Sequence, residues 1–264
     1  MLKDITLGQY FPGDTVVHRL DPRTKLLMTV LYIVILFVAL RYVSYAVVLL
    51  FLALCIGLSR IRLKTVFSGL KPLLIIIIVT AVLNLFYTKG EHLIFRVWKL
   101  SLYWEGVEVA FFMALRIMLL IMGTFLMTYT TSPISLTDAL ERLLSPLKKL
   151  KLPVHELAMM MSIALRFIPT LIEETDKIMS AQKARGADFE SGNLIDKAKA
   201  MIPILVPLFI SAFRRADELA TAMECRCYHG GEGRTKLHIL KYETRDWVAL
   251  FFGVVVLAAV IVLR

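Results

Sequence analysis

Four stretches of this chain are almost free of charge: Leu26 to Leu58, interrupted only by Arg41, then Pro72 to Tyr87, Val107 to Thr131 and Trp247 to Leu263. A hydrocarbon core about 30 Å thick asks for about 20 apolar residues per helix. Backbone polar groups have no water to turn to there, so such stretches span as helices. The first block has 33 residues, too long for one ordinary span and slightly short for two. Two short helices meeting near Arg41 and Tyr42 are expected, with Arg23, Lys25 and Arg60 reaching to the interface; one long tilted helix with a re-entrant tail is the alternative. Five spans follow, in an all-α integral membrane protein. The implied domains are residues 1–131 (four spans), 132–245 (water-facing) and 246–264 (the last span). Nothing in Met1 to Arg23 has the form of a cleavable signal.

Charge sets the expected orientation. Ser59 to Lys71 holds four basic and no acidic residues, whereas Thr88 to Gly106 holds three basic and two acidic. The former belongs on the cytoplasmic side, which places the N-terminus and residues 132–245 inside and Arg264 outside a multi-pass plasma-membrane protein. The net charge of +10 lies largely near span ends, at Arg60, Arg62, Lys64 and Lys71. That placement suits anionic lipid head groups and excludes nucleic acid as the natural partner.

The water-facing segment reads as three amphipathic helices. The first runs from Ser135, spaced with Asp138 as a capping box, to about Lys151, with Leu136, Leu140, Leu143, Leu144 and Leu147 on one face. The second runs from Val154 to Arg185, carrying Leu157, Met161, Leu165, Ile168, Ile172 and Met179, with a kink at Pro169 and a stop at Gly186. The third runs from Leu194 to Cys225, with Ile195, Ala198, Ile202, Leu205, Phe209, Phe213, Ala216, Ala220 and Met223 on one stripe. Helices of roughly 30 residues are about 45 Å long and need a partner surface: each other, lipid, or other subunits.

Both long helices end on an arginine between small side chains, Ala184-Arg185-Gly186 and Cys225-Arg226-Cys227. A guanidinium so flanked is free to enter a groove and fork onto a carboxylate. Arginine in a last turn before glycine is also an ordinary helix stop that complements the macrodipole.

Taken with His18-Arg19-Leu20-Asp21-Pro22-Arg23-Thr24-Lys25-Leu26 before the first span and Leu165-Arg166-Phe167-Ile168-Pro169 in the second long helix, these motifs make the whole chain resemble the transmembrane coupling (T) component of energy-coupling-factor transporters. The resemblance implies two long helices crossing beneath the membrane. Arg185 with Ala184 and Gly186 would dock in one ATPase of a heterodimer, and Arg226 with Cys225 and Cys227 in the other; the second motif departs from Ala-Arg-Gly at both flanks. It implies a platform, here Leu157, Met161, Leu165, Ile168, Phe209, Phe213, Ala216 and Ala220, under a small membrane subunit that binds a vitamin or metal substrate. ATP and Mg would be held by the partner ATPases, with no cofactor and no catalysis in this chain.

Arg116 is an ionisable group inside a span and needs a partner: Asn84, a backbone carbonyl, or a polar group on another helix. Cys225, Cys227 and His229 are three ligands where a closed zinc site wants four. Gly230-Gly231-Glu232-Gly233 lacks the lysine and hydroxyl of a phosphate loop and reads as a turn, as does Asp21-Pro22-Arg23. Histidines 18, 92, 155, 229 and 238 are scattered, which disfavours an enzyme. A stand-alone secondary transporter is the alternative function; it would need facing intramembrane charges or an internal repeat.

Overall fold

Asp21 starts the first helix. Its carboxylate accepts the backbone N–H of Arg23 at 2.9 Å, and Pro22 occupies the first helical position, where no N–H is missed. In this computed structural model, which describes residues 10–88, 92–97, 100–189, 193–230 and 240–263, helix α1 (Pro22–Val38) gives way at extended Ala39 and Arg41 to α2 (Tyr42–Ser59). The expected break therefore falls where Arg41 interrupts the apolar run. Arg60 closes α2 in the left-handed conformation, φ 55°.

The segment after Arg60 differs from the expected connection. Leu63–Leu70 is already helical (α3) and passes through a 3-10 turn at Lys71–Leu73 into α4 (Leu74–Tyr87). Pro72 supplies no N–H, so the chain tightens there instead of ending, and the basic residues at 64 and 71 lie along a single long helical run. An antiparallel hairpin, β1 (Leu93–Val97) and β2 (Leu100–Tyr103), then precedes α5 (Trp104–Thr130). This hairpin is the one departure from an all-helical architecture among the described residues.

Helix α6 (Pro133–Leu144) begins two residues before the expected start. The cap is Ser132, not Ser135: the Ser132 hydroxyl oxygen accepts the backbone N–H of Ser135 at 3.2 Å, and Pro133 takes the first helical position. Pro146 converts the end into a 3-10 stretch, Ser145–Leu150, which stops at left-handed Lys151. The two long helices are α7 (Val154–Ala184) and α8 (Leu194–Glu224), 31 residues each, and both run on through their internal prolines. Helix α9 (Thr244–Val262) is last.

Five helical runs are long and apolar enough to cross a membrane: Tyr42–Ser59, Leu63–Tyr87, Trp104–Thr130, Val154–Ala184 and Thr244–Val262. The number agrees with the sequence expectation and the membership does not. Helix α1, at 17 residues, is only about 25 Å long, whereas α7 enters by length and composition as the least apolar of the five.

The chain divides into two compact units among the described residues, 10–139 with 240–263, and 140–230, so the division falls inside α6. In the first, Tyr32, Leu36, Val48, Phe51, Leu119 and Val260 centre a core shared by α1, α2, α5 and α9. Small residues let the helices approach: a Cβ on Gly123 of α5 would overlap the Tyr32 ring, and one on Gly253 of α9 would stand 2.7 Å from the Met28 sulfur. The outward faces of α2 and α4 remain apolar, with Leu50, Ile75 and Ile78 exposed, as a lipid solvent permits. In the second unit α7 packs on α8, joined by an ion pair from Arg215 to Glu174 at 2.7 Å, and His155 pairs with Glu141 of α6 at 3.0 Å.

Candidate functional site

The two arginine motifs are the same backbone structure built from different residues. At the end of α7, Gly186 N–H donates to Lys183 C=O and Ala187 N–H to Gln182 C=O, both at 3.0 Å. At the end of α8, Cys227 N–H donates to Glu224 C=O at 2.9 Å and Tyr228 N–H to Met223 C=O at 3.0 Å. Each is a Schellman cap, with the left-handed residue immediately after the arginine: Gly186 at φ 89° in one, Cys227 at φ 56° in the other. Arg185 and Arg226 thus occupy one and the same capping position. Both are exposed, and among the described residues neither guanidinium has an ion-pair partner. Ala184, Gly186, Cys225 and Cys227 are exposed beside them, and the two thiols are free.

The other singled-out residues of α7 and α8 lie mainly on outward faces. Phe209 is 61% and Phe213 72% exposed; Leu157, Met161, Ala216 and Ala220 are also exposed, while Leu165 and Ile168 are half-buried. The face that α8 keeps inward is a different one, with Ile204 buried and Leu208, Ser211, Arg215 and Leu219 half-buried. Apolar side chains therefore cover more of α8's circumference than packing within the unit uses. One stripe had been expected, and Arg215, a charged member of the inner face, could not be recognised from apolar periodicity.

Arg116 is satisfied inside its own unit. Its Nε donates to the Tyr45 hydroxyl at 2.9 Å and an Nη to the Ala39 carbonyl at 3.1 Å. Ala39 caps α1, so the arginine closes the break between α1 and α2. Asn84 is not its partner and donates to the Thr80 carbonyl, while Glu108 accepts from the Tyr42 hydroxyl at 3.1 Å.

The segment His18 to Lys25 is more than a turn. Asp21 receives a two-pronged ion pair from Arg23, at 3.0 and 2.8 Å, and its own backbone N–H donates to the buried Asp246 carboxylate at 2.8 Å. The other Asp246 oxygen accepts the Glu243 N–H at 2.8 Å and so caps α9. Lys25 Nζ, buried, donates to the carbonyls of His18 at 3.0 Å and Thr130 at 2.7 Å, and the Arg23 guanidinium lies 4.0 Å from the Tyr242 ring centroid. One polar knot thus ties together the starts of α1 and α9 and the end of α5. His18 has Nδ1 2.7 Å from the Thr15 hydroxyl and Nε2 3.1 Å from the Phe11 carbonyl. The carbonyl can only accept, so Nε2 carries the proton. Burial pushes the imidazole below its ordinary value of 6.5, against the opposing pull of the Phe11 carbonyl.

Among the described residues no group of three His, Cys, Asp or Glu side chains is placed to hold a metal ion. Gly230 has a positive φ of 97°, whereas Gly231, Glu232, Gly233, His238 and Arg264 lie outside the described residues.

Comparison with known proteins agrees along the whole chain. The cobalt transport protein family, CbiQ, matches residues 13–237. Similar curated proteins include the energy-coupling factor transporter transmembrane protein EcfT of Clostridium kluyveri, 55% identical over 100% of this chain and 98% of its own. The EcfT proteins of Bacillus subtilis and Lactococcus lactis subsp. cremoris are 49% and 44% identical, each over 99% of this chain and 98% of theirs.

Proposed function

This chain belongs to the energy-coupling factor transporter transmembrane (EcfT) proteins of the CbiQ family, and from that premise we propose that it carries motion from two ATP-binding subunits to a substrate-binding membrane subunit. It is the energy-coupling transmembrane component of its transporter. The finer assignment is supported above all by the paired Schellman caps, which present Arg185 and Arg226 alike and, among the described residues, without an ion-pair partner.

A receptor carboxylate in each ATPase would take one guanidinium through a fork of two charge-assisted hydrogen bonds. The ATPases, a heterodimer in this proposal, bind ATP and Mg; this chain holds neither and performs no chemistry. When they close, the helix ends are drawn with them, because the caps fix the backbone of both arginines to α7 and α8. These helices cross in the proposed arrangement, and their outward apolar residues, Leu157, Met161, Leu165, Ile168, Phe209, Phe213, Ala216 and Ala220, carry a small hydrophobic subunit that binds a vitamin or other micronutrient, a metal ion included. The N-terminus and α7–α8 face the cytoplasm in this scheme, on the side of the basic residues at Arg60, Arg62, Lys64 and Lys71, and residue 264 faces outward.

Charge-assisted hydrogen bonds contribute about 1.5–3 kcal/mol each, so Arg185→Ala or Arg226→Ala should each weaken retention of one ATPase by at least about tenfold. The double variant should retain neither and should transport nothing, while membrane content stays normal. Co-purification of both ATPases with the double variant would refute the docking assignment.

A further inference from the structure

Helices α1, α2, α5 and α9, with Val16, Val17 and Leu20 of the segment before α1, line a cleft of about 590 Å³, within the range of about 300–1,000 Å³ typical of small-molecule sites. Apart from Lys25, Arg245 and three threonines, its walls are aliphatic, aromatic or sulfur-bearing, including Met28, Phe51, Cys55 and Phe252. On the rim Leu54, Leu58, Val248 and Phe252 are exposed. They belong to α2 and α9, two of the membrane-length helices, so the cleft opens sideways, where lipid is the solvent.

Both charged side chains in the lining are cationic. Lys25 is buried and already donates to two carbonyls. An ammonium has three protons, and among the described residues the third has no acceptor. Arg245 is exposed and only loosely paired with Glu243, at 3.6 Å. The neighbouring carboxylates of Asp21 and Asp246 do not line the cleft and are occupied by Arg23 and by backbone N–H groups. Lys25 at the start of α1, Leu58 at the end of α2 and Val248 at the start of α9 share the cleft, so the cations stand at the membrane end where α1 and α9 begin. An apolar slot with one cationic corner at the head-group level matches an amphiphile whose head is an anion.

We propose that the cleft binds one anionic phospholipid, with an acyl chain among Met28, Phe51, Cys55 and Phe252 and its phosphate between Lys25 and Arg245. The lipid would fill the space that the four helices leave open and brace the corner where the polar knot joins α1, α5 and α9. The site lies in the unit that does not contain the arginine caps, and it stands or falls independently of the coupling function.

The test uses the full-length chain in vesicles of equal phosphatidylglycerol and phosphatidylcholine, extracted in mild detergent, with retained lipid counted by native mass spectrometry. One phosphatidylglycerol per chain is expected, in preference to phosphatidylcholine. Arg245→Gln, an exposed change, should lower that preference about fivefold, the weight of one cation at an anionic surface. Ala249→Trp should fill the cleft and abolish retention. In the wild-type chain, phosphatidylglycerol but not phosphatidylcholine should slow alkylation of Cys55 by N-ethylmaleimide, read by peptide mass apart from Cys225 and Cys227. No retained lipid, equal retention of both lipids, retention unchanged in Ala249→Trp, Cys55 alkylation indifferent to phosphatidylglycerol, or a polypeptide found sealing the cleft would each overturn the proposal.

Discussion

Replacing Gly186 by alanine should loosen the end of α7 without touching the arginine that the end presents. Gly186 sits at φ 89°, where a side chain is strained, and a left-handed L-residue costs about 1–2 kcal/mol. The lower figure corresponds to about a fivefold rise in the open population of the cap, and amide exchange reports such local opening. The amides to follow are those of residue 186 and Ala187, which hold the cap by donating to Lys183 and Gln182. Cys227 is the mirror experiment, because it already carries that strain at φ 56°. Cys227→Gly should relieve it, offset by the larger unfolded-state entropy of glycine, about 0.5–1 kcal/mol, so exchange at residue 227 and Tyr228 should slow by about two- to fivefold. Hydrogen exchange read by mass spectrometry on the detergent-solubilised protein measures both. If arginine presentation matters for docking, Gly186→Ala should also weaken ATPase retention with Arg185 intact. Unchanged exchange in Gly186→Ala, or faster exchange in Cys227→Gly, would refute the idea that backbone caps hold these ends.

Gly123→Ala should destabilise the membrane unit by about 1–3 kcal/mol through overpacking on Tyr32. Much of that loss should disappear in the Tyr32→Leu background, so a double-mutant cycle by thermal unfolding in detergent should be strongly non-additive. Arg116→Leu removes the donor from the Ala39 carbonyl and the Tyr45 hydroxyl and should cost about 1–3 kcal/mol by the same assay. The His18 imidazole is depressed below 6.5 in the fold, so the unfolded segment binds more protons than the folded one near that pH. The stability it lends is present above 6.5 and lost as pH falls through the folded value; proteolysis after Arg19 should therefore accelerate on acidification, and less so in His18→Gln.

Local signals carried much of this structure. Arg41 in an apolar run marks the break between α1 and α2, Gly186 marks the end of α7, and the paired arginines are visible as Ala-Arg-Gly and Cys-Arg-Cys. What sequence did not disclose is mostly a matter of distance or of competing local choices. Asp246 bonds to a backbone amide 225 positions away, and nothing around it distinguishes it from an ordinary first-turn carboxylate. Ser132 and Ser135 both suit a cap, and Pro133 between them decides in favour of the first. Pro72 looks like the start of a span yet lies within a helical run, because a 3-10 turn tolerates its missing amide. The hairpin strands are short, and although Lys99-Leu100-Ser101-Leu102 alternates, Leu93-Ile94-Phe95 does not, so too little period-2 pattern announced it. On α8 the apolar residues exceed one face, and only the partner helix reveals which side turns inward.

The bond between Asp21 and Asp246 also orders events in time. A ribosome working at about 5–20 residues per second needs roughly ten to forty seconds to pass from one to the other. Throughout that interval the newborn first helix has the Asp21 amide unpaired and the flank around Met28 uncovered. Its final seat is completed only when α9 arrives, so membrane insertase, chaperone and protease all meet a chain whose α1 is still open along one flank.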